Sequence, residues 1–169
     1  KIEAVIEAVK DKEFPDLPRF GIRMFLNKKM NEVTYFGMGP QESYRDKHQA
    51  SCHGLFRSKV AQMHEDYIRP QENGSHYDCD YVEITSGQYG IAAVSNDSFS
   101  FNVSVYTQEE LERASHNYEL EESDSTVFCM DYAMNGIGSN SCGPDVLDKY
   151  RFAEEAFRFQ FELIPFVKG

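Results

Sequence analysis

Between Ser98 and Val105 the chain alternates without interruption: Phe99, Phe101, Val103 and Val105 are interleaved with Ser98, Ser100, Asn102 and Ser104. A period of two puts all four apolar side chains on one face of an extended strand and the small polar ones on the other. Phe157, Phe159, Phe161 and Leu163 alternate with Arg158, Gln160 and Glu162 in the same way, and Phe20, Ile22, Met24 and Leu26 repeat the pattern. Such segments read as half-buried antiparallel strands, one face on a core and the other in water. A polar turn at Asn27 to Asn31 leads from the third of them to a strand around Val33 to Phe36, and this pair is expected to form a hairpin.

Further strands are expected at about 52–60, 76–85, 89–94 and 125–133, with turn signals between them. The reading is an all-β fold, an antiparallel β-sandwich with one short surface helix. That helix starts at Thr107, which with Glu110 three residues later forms a capping box ahead of good helix formers. Ile2, Val5, Ile6 and Val9 fit either period, so residues 2–9 are ambiguous by themselves. No repeat or linker divides the 169 residues, which suit one domain able to bury roughly 70% of its unfolded surface.

The formal charge of −11 and the absence of a basic cluster argue against nucleic acid as a partner. Apolar runs of only a few residues argue against a membrane span, so a soluble chain is expected. Cys52, Cys79, Cys129 and Cys142 show no CxxC or zinc-like spacing and are expected to be buried thiols. The sequons at Asn73, Asn96 and Asn102 matter only in a eukaryotic secretory route. His48, His53, His64, His76 and His116 lack pairing for a metal or a triad, and surface or loop positions are expected for them.

Four polar segments punctuate the strands: Gly-Met-Gly-Pro-Gln-Glu-Ser-Tyr at 37–44, Arg-Pro-Gln-Glu-Asn-Gly at 69–74, Tyr-Thr-Gln-Glu-Glu-Leu at 106–111 and Gly-Ile-Gly-Ser-Asn-Ser-Cys-Gly-Pro at 136–144. Pro70 restricts the backbone around Arg69, and Asn73-Gly74 tolerates positive φ, so the second segment is bent. Arg69 has the planar fork for a bidentate carboxylate, and Glu42 or Glu72 is its expected partner. Glu42, Glu72, Asp78, Asp80 and Asp131 could suggest a glycosidase pair, but none lies in a motif that supports one; for Glu42 and Glu72 the expectation is that they satisfy buried donors or pair with arginines such as Arg69 and Arg45.

In order and spacing these segments resemble the C-terminal domain of family 2 bacterial β-galactosidases, called the small chain when encoded separately. The resemblance runs from about Phe14 to about Phe166. It implies a supersandwich in which residues 2–9 are a strand, preceded by further β-structure and by catalytic domains. Because Lys1 rather than Met opens the chain on an apolar segment, residues 1–169 are expected to be a single sandwich domain truncated on its N-terminal side, with an exposed sheet edge. The parent would hydrolyse terminal β-galactosides such as lactose by a retaining mechanism, using two glutamates in a barrel domain and magnesium, neither held here. The implied partners are the preceding barrel and sandwich domains or a separate large chain, the galactoside, and further copies in an oligomer, in a bacterial cytoplasm or else a periplasm.

In the family the loop equivalent to 136–144 reaches the barrel's active site and commonly carries a sugar-stacking tryptophan. Cys142 stands closest to that position in a loop one residue shorter, and a thiol has no aromatic face. Ser141 and Cys142 are the candidates for lining the sugar pocket, and no catalytic residue is expected. The rival reading is an autonomous carbohydrate-binding module; 13 Phe and 10 Tyr suit it, whereas the lack of Trp does not.

Overall fold

A computed structural model describes residues 1–138 and 145–168. Eight strands, β1 (Ile2–Val9), β2 (Arg19–Asn27), β3 (Glu32–Gly39), β4 (Cys52–Lys59), β5 (Ser75–Thr85), β6 (Tyr89–Ser104), β7 (Ser125–Met134) and β8 (Ala156–Val167), are joined by loops, short 3-10 turns and one helix, α1 (Gln108–Arg113). All pairings are antiparallel.

The long strand β6 organises the architecture. Its first half, Tyr89 to Val94, pairs with β8, and its last residues, Ser100 to Ser104, pair with β7, while β5 follows it along both stretches. One branch therefore runs β1-β8-β6-β5-β3-β4, and a second carries β7 and then β2 away from the end of β6. The branches face each other. Strands β7 and β8 share no ladder, yet Tyr132 stacks on Phe157 at 4.8 Å, and Phe20 of β2 meets Phe157 edge-on at 4.8 Å. Between the layers Val33, Tyr35, Val82, Ile84, Phe99, Phe101, Phe128, Met130, Phe159 and Phe161 form one buried cluster. This is the expected all-β sandwich, with Ala4 and Ile6 on β1 and Ile22, Met24 and Leu26 on β2 packing half-buried at its margin.

Three expectations are corrected. The hairpin of 20–26 with 33–36 does not form: β2 pairs only with β7, and β3 with β4 and β5. The turn between them crosses from one layer to the other, held by Met30, which is buried in the core and whose carbonyl accepts the Thr126 hydroxyl at 3.0 Å. The alternation keeps Ser98 exposed but is not half-buried over 100–104. Ser100, Asn102 and Ser104 are covered as thoroughly as Phe99 and Phe101, because the chain around residues 73–75 lies over that end of β6. By contrast β8 keeps Arg158 and Gln160 exposed, as its alternation implies. At α1 the Thr107 hydroxyl accepts the Glu110 N–H at 3.1 Å, but the Glu110 carboxylate turns to Arg113 and to the Glu121 N–H instead of closing the box.

Candidate functional site

The segments at 37–44 and 69–74 meet on Glu42. Its Oε1 accepts Lys47 Nζ at 2.5 Å and the Tyr67 hydroxyl; its Oε2 accepts the Gly74 N–H at 2.9 Å and the Tyr44 hydroxyl at 3.2 Å. Burial alone would raise this carboxyl, but Lys47, Tyr67 and the Gly74 N–H together hold it below its ordinary value. The segment is further tied to β5 through fully buried Ser43, whose N–H donates to Ser75 O at 2.7 Å and whose hydroxyl accepts the Tyr77 N–H at 2.9 Å. Asn73 fastens the bend at 69–74, accepting the Glu65 N–H at 2.9 Å and donating to Gln71 O at 2.9 Å, while its own carbonyl accepts Asn102 Nδ2 at 2.5 Å.

Arg69 is exposed and pairs with neither Glu42 nor Glu72, contrary to expectation. The arginine that takes this role is Arg19, at the start of β2. It binds Asp131 through Nε at 3.0 Å and Nη2 at 2.5 Å, and its Nη1 donates to Glu72. No sequence motif flags it, because Asp131 lies 112 residues away. Burial lifts the 2% exposed Asp131 carboxyl to about 6, although Arg19 pulls it the other way. For Arg19, burial is outweighed by the two carboxylates, and its pKa rises. Arg45, the other expected partner, donates to Arg151 O instead.

Both Asp131 oxygens accept from the Arg19 guanidinium and both Glu42 oxygens accept hydrogen bonds from within the domain, so in this structure these carboxylates serve as internal acceptors. His76 corrects the expectation of surface histidines: it is 2% exposed between Tyr35 and Phe101, with Nδ1 3.1 Å from Met38 O, and burial lowers its pKa to about 4. Cys79 and Cys129 are buried free thiols as expected, whereas Cys52 is free but exposed on the edge strand β4. Burial pushes the Cys129 thiol up to about 11. Asn73 and Asn102 are buried, which leaves Asn96 as the accessible sequon asparagine.

Ser141 and Cys142 lie outside the described residues. The stem that precedes them is well placed. Asp46 Oδ1 accepts the Ile137 N–H at 3.0 Å and Oδ2 the Gly138 N–H at 2.8 Å, joining the end of the first polar segment to the start of the fourth. On the other side the Gly136 N–H donates to Tyr150 O at 2.9 Å, and Asn135 Oδ1 accepts the Phe152 N–H at 2.9 Å. A cleft of about 570 Å³ is lined by Tyr44, Arg45, Tyr77, Tyr132, Glu154 and Arg158 among others. Among the described residues no group of three His, Cys, Asp or Glu side chains could hold a metal ion, and no helix is long and apolar enough to cross a membrane.

The fold and these loops define a class: a β-sandwich scaffold whose buried carboxylates serve structure and whose polar segments at 37–44 and 69–74 meet on Glu42. The family model for the β-galactosidase small chain matches residues 1–163, and the chain belongs to that family. It is similar to a β-galactosidase of Actinobacillus pleuropneumoniae, 49% identical over 164 residues that make up 97% of this chain and 16% of the relative. A Staphylococcus xylosus β-galactosidase is 41% identical over 91% of the chain and 16% of the relative, and one from Kluyveromyces lactis 34% identical over 88% and 14%. The chain thus spans about one sixth of the length of these curated relatives.

Proposed function

We propose that this domain completes a β-galactosidase that hydrolyses terminal β-D-galactosides such as lactose, and that it supports and rims the active site without supplying a catalytic group. The observation that carries this reading is the small-chain match over residues 1–163. Its coverage of only one sixth of relatives named β-galactosidase leaves ample chain in such a parent for a catalytic domain. The engagement of Glu42, Glu72 and Asp131 in internal hydrogen bonds supports the same division of labour. In this reading two glutamates of a preceding barrel run a retaining double displacement, and magnesium is held there as well. Ser141 and Cys142 border the sugar, the domain packs on the barrel in an oligomer, and the enzyme works in a bacterial cytoplasm.

The test is hydrolysis of a chromogenic galactopyranoside. The chain alone is expected to show no turnover and to restore it on mixing with the missing large portion; turnover by the purified chain alone, free of host enzyme, overturns the reading. The tyrosine-bordered cleft favours one alternative, an autonomous carbohydrate-binding module. Saturable binding of galactose or lactose to the isolated chain, with no restored hydrolysis on mixing, would favour it.

A further inference from the structure

We propose that the cleft between the two branches of the sheet is a binding site for a neutral saccharide, held by Asp97, Ser100 and Arg158 beside Tyr77 and Tyr132. The site is built from described residues alone and is independent of whether the chain completes a hydrolase.

The cleft follows from the topology. Along one side β6 pairs with β8 as far as Val94 and with β7 from Ser100 onward, so Ser95 to Phe99 have no ladder partner there and the two neighbours part around them. The bend in β6 is pinned, because the Ser95 hydroxyl donates to Gln160 O at 2.6 Å and accepts the Asp97 N–H at 3.2 Å. The space that opens, about 570 Å³, lies within the roughly 300–1,000 Å³ of small-molecule sites. It holds unused hydrogen-bonding capacity. Ser100 lines it and is 6% exposed, and among the described residues its hydroxyl has no hydrogen-bond partner. A hydroxyl so far withdrawn from water calls for a polar group entering the cleft. The exposed Asp97 carboxylate likewise accepts no hydrogen bond from the described residues, and the Arg158 guanidinium is approached among them by Glu7 alone, at 3.8 Å. The other charged groups of the cleft are already engaged: Arg45 Nη1 donates to Arg151 O at 3.1 Å, and Glu154 Oε2 accepts the Tyr132 hydroxyl at 2.8 Å.

These residue types select the ligand. Arg45 and Arg158 balance Asp97 and Glu154, so an anion meets two carboxylates and a cation meets two guanidiniums. A hydroxyl both donates and accepts, and neighbouring ring hydroxyls can satisfy an acceptor-only carboxylate and a donor-only guanidinium together. Tyr77 and Tyr132 add aromatic surface for the C–H groups of a pyranose. A neutral saccharide meets all of these demands.

The experiment titrates the isotope-labelled chain with lactose, maltose, glucuronate and glucosamine, reading amide shifts by NMR and affinity by calorimetry. Lactose or maltose is expected to bind saturably and to move the amides of residues 95–100. Asp97→Asn, Ser100→Ala and Arg158→Gln are each expected to weaken that binding about fivefold, while Arg69→Ala leaves it unchanged. Asp97 and Arg158 are exposed, so their variants decide even if Ser100→Ala disturbs the fold. Should the chain fold only within a full-length β-galactosidase, hydrogen exchange there decides: the neutral sugar is expected to slow exchange over residues 95–100, and Asp97→Asn to abolish that protection. Absence of saturable binding by both neutral sugars, binding or protection that no variant alters, or tighter binding of glucuronate or glucosamine than of the neutral sugars overturns the proposal.

Discussion

Glu42 shows how much a single buried carboxylate can organise. Four donors from three separate stretches converge on it, one of them the otherwise unpaired N–H of Gly74. Glu42→Ala is therefore expected to cost about 3 kcal/mol, because it strands buried donors as well as removing bonds; chemical denaturation checks it. The pH dependence follows from the sign of the shift. The folded carboxyl is held below its ordinary value of 4.5, so its contribution is complete above that pH and is lost on acidification. His76 acts in the same direction at higher pH. Its folded pKa of about 4 against 6.5 unfolded means that stability present above pH 6.5 is lost between 6.5 and 4, an effect of about 3 kcal/mol. Melting curves of His76→Phe should be flatter over that window. Arg19→Ala should destabilise by about 3–5 kcal/mol by leaving Asp131 buried and unpaired, whereas Arg69→Ala should fall within about 0.5 kcal/mol of wild type; equal effects would refute the assignment.

At the scale of elements, the two faces of β6 explain why an alternating pattern misled as to burial. Small polar side chains on the second face are what water would suit, but also what a covering loop needs, since Asn102 donates to Asn73 O at 2.5 Å and Ser75 to Phe101 O at 3.4 Å. The cover depends on Gly74, which has φ +71° and would place a Cβ 2.3 Å from Met63 O. Gly74→Ala is expected to cost about 2 kcal/mol or more and to loosen the cover of β6, seen as faster exchange of amides in residues 100–104. The strand positions were legible because the period of two survives in a single sequence. Pairing was not, because whether a short polar turn closes a hairpin or crosses between layers depends on where its apolar residue goes, and Met30 goes into the core.

For the whole molecule, the decisive fact is that one core joins both branches of the sheet. Phe101→Ala is expected to cost about 3–5 kcal/mol and to shift a single cooperative transition monitored at any strand, since this fully buried ring touches Tyr35 on β3 and His76 on β5. By itself the sequence determined the all-β class, the strands after residue 9, the capped helix and the four polar segments that identify the family, because these depend on local periodicity, turn chemistry and residue order, whereas residues 2–9 fit either period. Only the tertiary structure decided that Arg19 rather than Arg69 takes Asp131 and Glu72, that His76 belongs to the core, and that Asp46 grips the stem at Ile137 and Gly138. Those partners lie between 38 and 112 residues apart, and a hydrogen bond is chosen by the distance the fold creates, a quantity that no local pattern encodes.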